Sequence, residues 1–547
     1  MSTYRVWGWG TSDSDAPRAA DVLAFARGLE SLLGFAGQAP EEPAALRPLP
    51  ESRIVLPSSL AALGSAEPID RARHGLGRSY RDVIRGVRGA PEHLPDLVVR
   101  PGVEGDVAAV LDWAAEKAVA VVPFGGGSSV VGGVEPAVGE DFRGTISLDL
   151  RRLAGVVEVD PTAQAARLLA GTTGPDVEAG LDGTGLTLRF FPQSFERSTV
   201  GGWIATRAAG HYAARLQHID DLVEAVRAVT PSGVWESRRL PGSGAGPSPD
   251  RLLLGSEGAL GVVTEAWLRL QRRPAYRARA MLAAPDLVVG AHALRMLVQQ
   301  GLAPATCRLL DAREAALTGT LSTGEAALVL GAESATAPVD SALQAAVAAC
   351  ADLGLRPLPR HESAAAGDSW RSAFLRAPYL RELFVLSGVL VETFETAVTW
   401  ERLTALVDAV TAATRTALGE VCGGGTVTCR ITHAYPDGAA PYFTVLAPAR
   451  RGGELSQWAD IEAAAKETLH AAGGSITHHH AVGRDHRRWY DRQRPEPFAL
   501  ALAAAKDALD PAGILNPGVL LDRHPPPGQP PASTEKYGLA PQGDLSV

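Results

Sequence analysis

Three adjacent histidines, His478, His479 and His480, form the most conspicuous polar cluster in this 547-residue chain. Metal binding is the first chemistry to test against them. Adjacent side chains diverge on a strand and sit about 100° apart on a helix, so three in a row cannot ligate one ion without strained backbone. The HxxxH and HExxH spacings are missing as well, and no metal is expected. On a strand only His478 and His480 would share a face, which leaves two readings: a solvent-facing basic stretch, or groups that move protons and hold phosphate. A second chemical signal is Pro123-Phe124-Gly125-Gly126-Gly127-Ser128-Ser129, after the apolar run Val119 to Val122. Glycines can take positive φ and let backbone N–H groups converge on a phosphate, and the two serines add hydroxyl donors. No Lys-Ser or Lys-Thr pair follows Gly127, so this is no P-loop. Gly132, Gly133, Pro136 and Gly139 break the next segment, so a dinucleotide turn opening a helix is excluded too.

Two more glycine-and-hydroxyl segments accompany the first. One runs Gln193-Ser194-Phe195-Glu196-Arg197-Ser198-Thr199 into Thr206-Arg207-Ala208-Ala209, and the other is Glu257-Gly258-Ala259-Leu260-Gly261-Val262-Val263. Three such loops beside apolar strands or helices make a groove lined by backbone. It suits an extended ligand with a pyrophosphate in its middle and a flat ring at one end.

Together, PFGGGSSV, PQSFERSTVGGW and GSEGALGVVTE closely resemble the FAD-binding, PCMH-type domain of the vanillyl-alcohol-oxidase-type flavoproteins. The stretch Gly473 to Gly483, with its triple histidine, resembles one branch, the alkyldihydroxyacetonephosphate synthases. The resemblance implies FAD held by the three loops. Covalent relatives use a histidine in the phosphate loop or a Cys or His from the cap; the loop here has none, so non-covalent binding is expected. It implies a transferase that replaces the acyl group of an acyl-dihydroxyacetone phosphate with a fatty alcohol, FAD serving as electron sink without net redox change. Tyr442 matches the family's catalytic acid/base, with His478, His479 and His480 beside it; a tyrosine on a strand is otherwise a core or edge residue. Arg381 matches the substrate-phosphate arginine, its rival reading an exposed helix charge. Arg308 matches another position tied to activity, its rival an ion pair with Asp311.

The elements that must position these residues fall into an α+β plan. An extension at 1–94 contains a helical run from Ala20 to Leu33 and a Trp7/Trp9 pair suited to capping a core. The strand-rich, glycine-punctuated part at 95–274 is the expected two-subdomain FAD-binding domain, with a helix at Val107 to Ala118. An α+β cap with an antiparallel sheet would cover 275–475, alternating strands at Ala326 and Tyr442 with helices at Val339 to Ala351 and Trp400 to Leu418. A histidine loop and helix at 476–522 would close the site, and 523–547, rich in Pro, Gly, Ser and Gln, reads as a disordered tail.

Composition narrows the partners. Net charge is −9, with 52 basic and 61 acidic residues interspersed, which argues against nucleic acid. The four cysteines match neither a redox pair nor a zinc pair. No apolar run approaches a membrane span and no secretory pattern opens the chain, so a cytoplasmic protein with a small or lipid-like phosphorylated substrate is expected. Peripheral membrane contact and a homodimer stay open. Two departures from the family matter, the first for the acyl-chain entrance and the second for the reaction. Glu314 to Glu325 passes quickly to the next strand, where the eukaryotic enzymes carry extra sequence. Asn516-Pro517-Gly518 looks like the ending of flavin dehydrogenases for 2-hydroxy acids, so an FAD-dependent oxidoreductase is the alternative.

Overall fold

The computed structural model describes residues 4–10, 16–212 and 218–521; the expected tail at 523–547 lies outside them. Strand Val119–Phe124 is buried along nearly its whole length, as a continuous apolar run in a parallel sheet should be. It pairs in parallel with Gly144–Asp149, which pairs in parallel with Leu97–Val99. Helix Glu104–Lys117 crosses over between them; Asp106 accepts from the N–H groups of Gly102 and Val103 at its start, and Ala118 ends it in the left-handed region. The strand therefore delivers Phe124 directly into the glycine loop.

A second, antiparallel sheet has the order Val156–Asp160, Ala165–Leu169, Val262–Arg269, Val223–Thr230, Gly233–Glu236. Trp203 and Phe190 fill its core with Leu168, Val226 and Leu260. The C-terminal chain ties these two sheets together. Val121 donates to Ile514 O at 2.8 Å, and Asn516 N donates to Val121 O at 2.8 Å. Buried Lys506, on helix Glu496–Leu509, donates to Asp510, Ala259 O and Leu515 O.

The third sheet is antiparallel throughout, in the order Arg356–Pro357, Tyr276–Ala284, Ala326–Ser334, Thr306–Leu310, Thr426–Ala434, Gly438–Pro448, Val389–Glu395. Helices Leu287–Gln299, Asp340–Ala351 and Trp400–Cys422 pack their apolar stripes on it. The helix Arg360–Leu386 runs 27 residues with Pro378 inside it and carries Arg381. The N-terminal helix Ala19–Leu33 lies against it, with the Phe25 and Phe384 rings edge to face at 4.9 Å. All four cysteines are free thiols. Among the described residues no helix is long and apolar enough to cross a membrane.

Candidate active site

Register assembles the site on one face of the third sheet. Tyr442 is paired with Arg430 on one side and Glu395 on the other, so the three side chains share a face. Leu310 pairs with Arg430, which brings Arg308, two residues earlier, onto that face as well. A bulge between Ile431 and His433 breaks the alternation, so Thr432 and His433 both reach the cavity there. This cavity, of about 390 Å³, is lined by Arg308, Arg381, Arg430, His433, Tyr442, His479 and His480. Ser128, Ser129, Gln193, Ser194, Thr206, Ala208 and Ala209 contribute from the loops, and Phe25, Leu29, Leu33, Leu317 and Phe384 from the helices. Along strand Gly438–Pro448 the lining passes from Tyr442 through Thr444 to Leu446, opposite Val391. Polar thus gives way to apolar over roughly 14 Å.

Glu395 organises the triple histidine. Its buried carboxylate accepts from the backbone N–H groups of His478 (2.6 Å), His479 (3.1 Å) and His480 (3.0 Å) and from the Thr477 hydroxyl (2.6 Å). Burial opposes ionisation of Glu395, yet the three imidazoles and the Thr477 hydroxyl together hold it well below the usual carboxylate range. The histidines therefore form no strand, and the alternate-face expectation fails. His479 and His480 face the 390 Å³ cavity, while His478 lines a second cavity of about 1050 Å³. Burial pushes the pKa of all three histidines down, that of His478 to about 3, so they rest as neutral rings. The same burial lowers His433, whose Nε2 has no hydrogen-bond partner among the described residues.

The arginines differ in what balances them. Arg430 forms a buried ion pair with Glu314 and holds its guanidinium 3.9 Å from the centre of the Tyr442 ring. Arg308 donates to Thr432 O and, at 2.9 Å, to His211 O. Burial, then the neighbouring Arg430, lowers Arg308 to about 9. Asp311, the expected partner of Arg308, instead caps helix Ala312–Leu317 and accepts from Cys429 N. Arg381 is half-buried, with Nη1 on Arg78 O at 2.6 Å and Nη2 on Thr393 Oγ1 at 3.3 Å, so it is no exposed helix charge. Neither Arg308 nor Arg381 has a carboxylate partner within ion-pair distance among the described residues.

The family model for the FAD binding domain matches residues 95–237, and that for FAD linked oxidases, C-terminal domain, matches 273–520. The alkyldihydroxyacetonephosphate synthase of Trypanosoma brucei brucei is 30% identical over 498 residues, spanning 85% of this chain and 79% of that protein. That of Caenorhabditis elegans is 31% identical over 489 residues, spanning 83% and 80%. The chain belongs to the alkyldihydroxyacetonephosphate synthase family. A solved structure of an alkyldihydroxyacetonephosphate synthase superposes with a TM-score of 0.69 at 25% identity, over 84% of this chain and 82% of that one. The protein is accordingly an FAD-dependent enzyme of this type with a two-domain FAD-binding fold.

The loops fit such a cofactor. A Cβ on Gly125 would stand 2.3 Å from Thr199 Oγ1, and one on Gly126 2.0 Å from Arg197 O, so only glycine allows this approach of loop to loop. Gly127 has φ +61°. Arg197 is 2% exposed, donates to Gly126 O at 2.6 Å, and leaves Nη1 unsatisfied with no carboxylate beside it among the described residues. A buried guanidinium of this kind calls for an anion, which a pyrophosphate provides. Several expected loop contacts turn elsewhere. Phe195 packs on Phe191, Glu196 accepts from the Tyr379 hydroxyl, Ser198 binds the Trp203 indole, Thr199 caps helix Val200–Thr206, and Arg207 pairs with Asp220. Glu257, pushed up to about 7 by burial against the pull of two N–H donors, accepts from Val482 and Gly483 rather than facing the loops. Gly258 closes on Pro123, while Ala259, Leu260, Val262 and Val263 are core.

Sequence reasoning missed Glu395, Arg430, His433, His218 and Tyr435. For Glu395, Arg430 and His433 the available signal is an ionisable residue inside a strand that otherwise reads as apolar, as Glu395 stands in Val389–Glu395; His218 and Tyr435 lie outside the strands and carry no such signal.

Proposed function

We propose that the enzyme exchanges the acyl group of an acyl-dihydroxyacetone phosphate for a fatty alcohol, with FAD held non-covalently and no net redox change. The observation that carries this reading is a single cavity with two carboxylate-free arginines, a tyrosine between a guanidinium and two imidazoles, and an apolar wall beyond them. Arg381 and Arg308 spend their donors on neutral oxygens and keep their charge for the phosphate. Arg430, paired with Glu314, serves Tyr442 instead by holding its guanidinium over the ring. Tyr442 exchanges the proton of the substrate carbon that bears the acyl oxygen. FAD bound along the glycine loops supplies a reversible electron sink for that carbon. The wall of Phe25, Leu29, Leu33 and Phe384 takes the hydrocarbon chain and excludes water from the exchange.

The test is anaerobic mixing of the FAD-loaded enzyme with palmitoyl-dihydroxyacetone phosphate and hexadecanol while the flavin absorbance is followed. The expected result is an ether product with oxidised flavin at the end and no electron acceptor required. Lasting two-electron bleaching by a 2-hydroxy acid, without ether product, would overturn the reading in favour of a dehydrogenase. Acid precipitation should leave the flavin in solution; flavin that stays with the polypeptide would refute non-covalent binding.

A further inference from the structure

We propose that His479, His478, Tyr435 and His218 form a proton conduit from the substrate cavity to the second cavity behind it. The proposal rests on the synthase reading, in which a proton leaves and returns to a substrate carbon at a buried site. Tyr442, to which that reading assigns the proton, is only 5% exposed, and its ring stacks on that of His479 with centroids 6.2 Å apart. His479 faces the first cavity, whereas His478, His218 and Tyr435 line the second. The contacts are continuous between the two. His479 Nδ1 and His478 Nδ1 are 3.0 Å apart, His478 Nε2 lies 2.6 Å from the Tyr435 hydroxyl and 3.1 Å from His218 Nε2, and that hydroxyl is 2.8 Å from His218 Nε2.

Chemistry sets a direction that closes the proton balance. His218 Nδ1 lies 3.3 Å from Arg207 O, which can only accept, so a neutral His218 carries its proton on Nδ1 and leaves Nε2 as an acceptor. A proton taken up on His479 Nε2 frees the Nδ1 proton to pass to His478 Nδ1. His478 then gives its Nε2 proton to the Tyr435 oxygen, and the original hydroxyl proton moves on to His218 Nε2. The imidazolium formed there gives up its 3.3 Å bond to Arg207 O and releases the Nδ1 proton to water in the second cavity, which both residues line. One proton enters, one leaves, and the reverse transfer resets the tautomers. Glu395, whose Oε2 lies 3.6 Å from His479 Nδ1, is a poor proton sink, because it accepts from four donors and is held well below the usual carboxylate range. Burial keeps His218 neutral at rest, which suits a ring that must pass its proton on. His218 meets the loop Thr206 to Ala209 through Arg207 O and a bridge to Ala209, so retained flavin is measured in the variant as the control.

The experiment incubates the FAD-loaded full chain with palmitoyl-dihydroxyacetone phosphate in D2O and reads deuterium at the substrate carbon by mass spectrometry, alongside ether formation with hexadecanol. The double variant His218→Ala/Tyr435→Phe should keep its flavin spectrum and KM but lose deuterium wash-in about tenfold or more. Added imidazole, for which the 1050 Å³ cavity has room, should restore most of the loss. Parental wash-in in the double variant would overturn the conduit, and so would a loss that imidazole leaves unchanged, since that marks a structural role. Parental enzyme that gives neither wash-in nor ether would remove the synthase reading and the conduit with it. Parental enzyme that gives both, with a variant that exchanges normally, would remove the conduit alone.

Discussion

Replacing Glu395 by glutamine tests whether one buried carboxylate positions the triple histidine. The amide is nearly isosteric. Its oxygen can keep the three donors now on Oε1, namely the Thr477 hydroxyl and the N–H groups of His479 and His480. Its NH2 group then confronts the His478 N–H that Oε2 now accepts at 2.6 Å, donor against donor. Losing one charge-assisted hydrogen bond costs about 1.5–3 kcal/mol and stranding a buried N–H about 1–3 kcal/mol, so a net penalty of about 3 kcal/mol is expected. That shifts the order–disorder equilibrium of the loop on the order of a hundredfold. Glu395→Gln should therefore lower turnover by about a hundredfold, while FAD content stays near parental because Glu395 touches none of the glycine loops. Ether formation per bound flavin is the assay, with retained flavin as the folding control. Turnover within about twofold of parental would refute the reasoning, because the carboxylate would then be replaceable by any acceptor of the same shape.

The remaining expectations concern protonation, proton transfer, phosphate binding and the cofactor loop. Glu395 and His478 both titrate lower in the folded chain than their ordinary values, His478 at about 3 against 6.5, so the unfolded chain binds more protons below about pH 6.5. Stability should fall as pH drops from about 6.5 toward 3, read as loss of flavin on acid titration; a flat profile across that window would count against neutral buried histidines. Tyr442→Phe should lose turnover by about 10² to 10⁴ with FAD and substrate binding kept, and near-parental turnover would remove it as the proton carrier. Arg381→Ala should weaken binding of the phosphorylated substrate by about 10- to 100-fold, measured by direct titration; unchanged affinity would assign the phosphate to other donors. In Gly126→Ala the new methyl would stand 2.0 Å from Arg197 O, so the two loops must part, and the purified protein should be poor in flavin; full yellow protein would show that this close approach is dispensable.

Local chemistry is legible without a fold. The three glycine-and-hydroxyl loops announce themselves because a tight backbone approach needs glycine at that position, and the contacts of Gly125 and Gly126 with Thr199 and Arg197 give the reason. Helices such as Ala19–Leu33 and Asp340–Ala351 likewise follow from apolar spacing and end within a residue or two of where that spacing puts them. The site itself depends on distance in sequence. Glu395 lies 83 residues from His478, yet it gathers the histidine loop into a turn that no local pattern specifies. Strand register alone puts Arg430 and Glu395 on either side of Tyr442, and a single bulge carries His433 onto the same face. Local propensity sets the backbone of a turn or a helix, whereas the partner of a buried charge is set by pairing across strands, which only the folded chain contains.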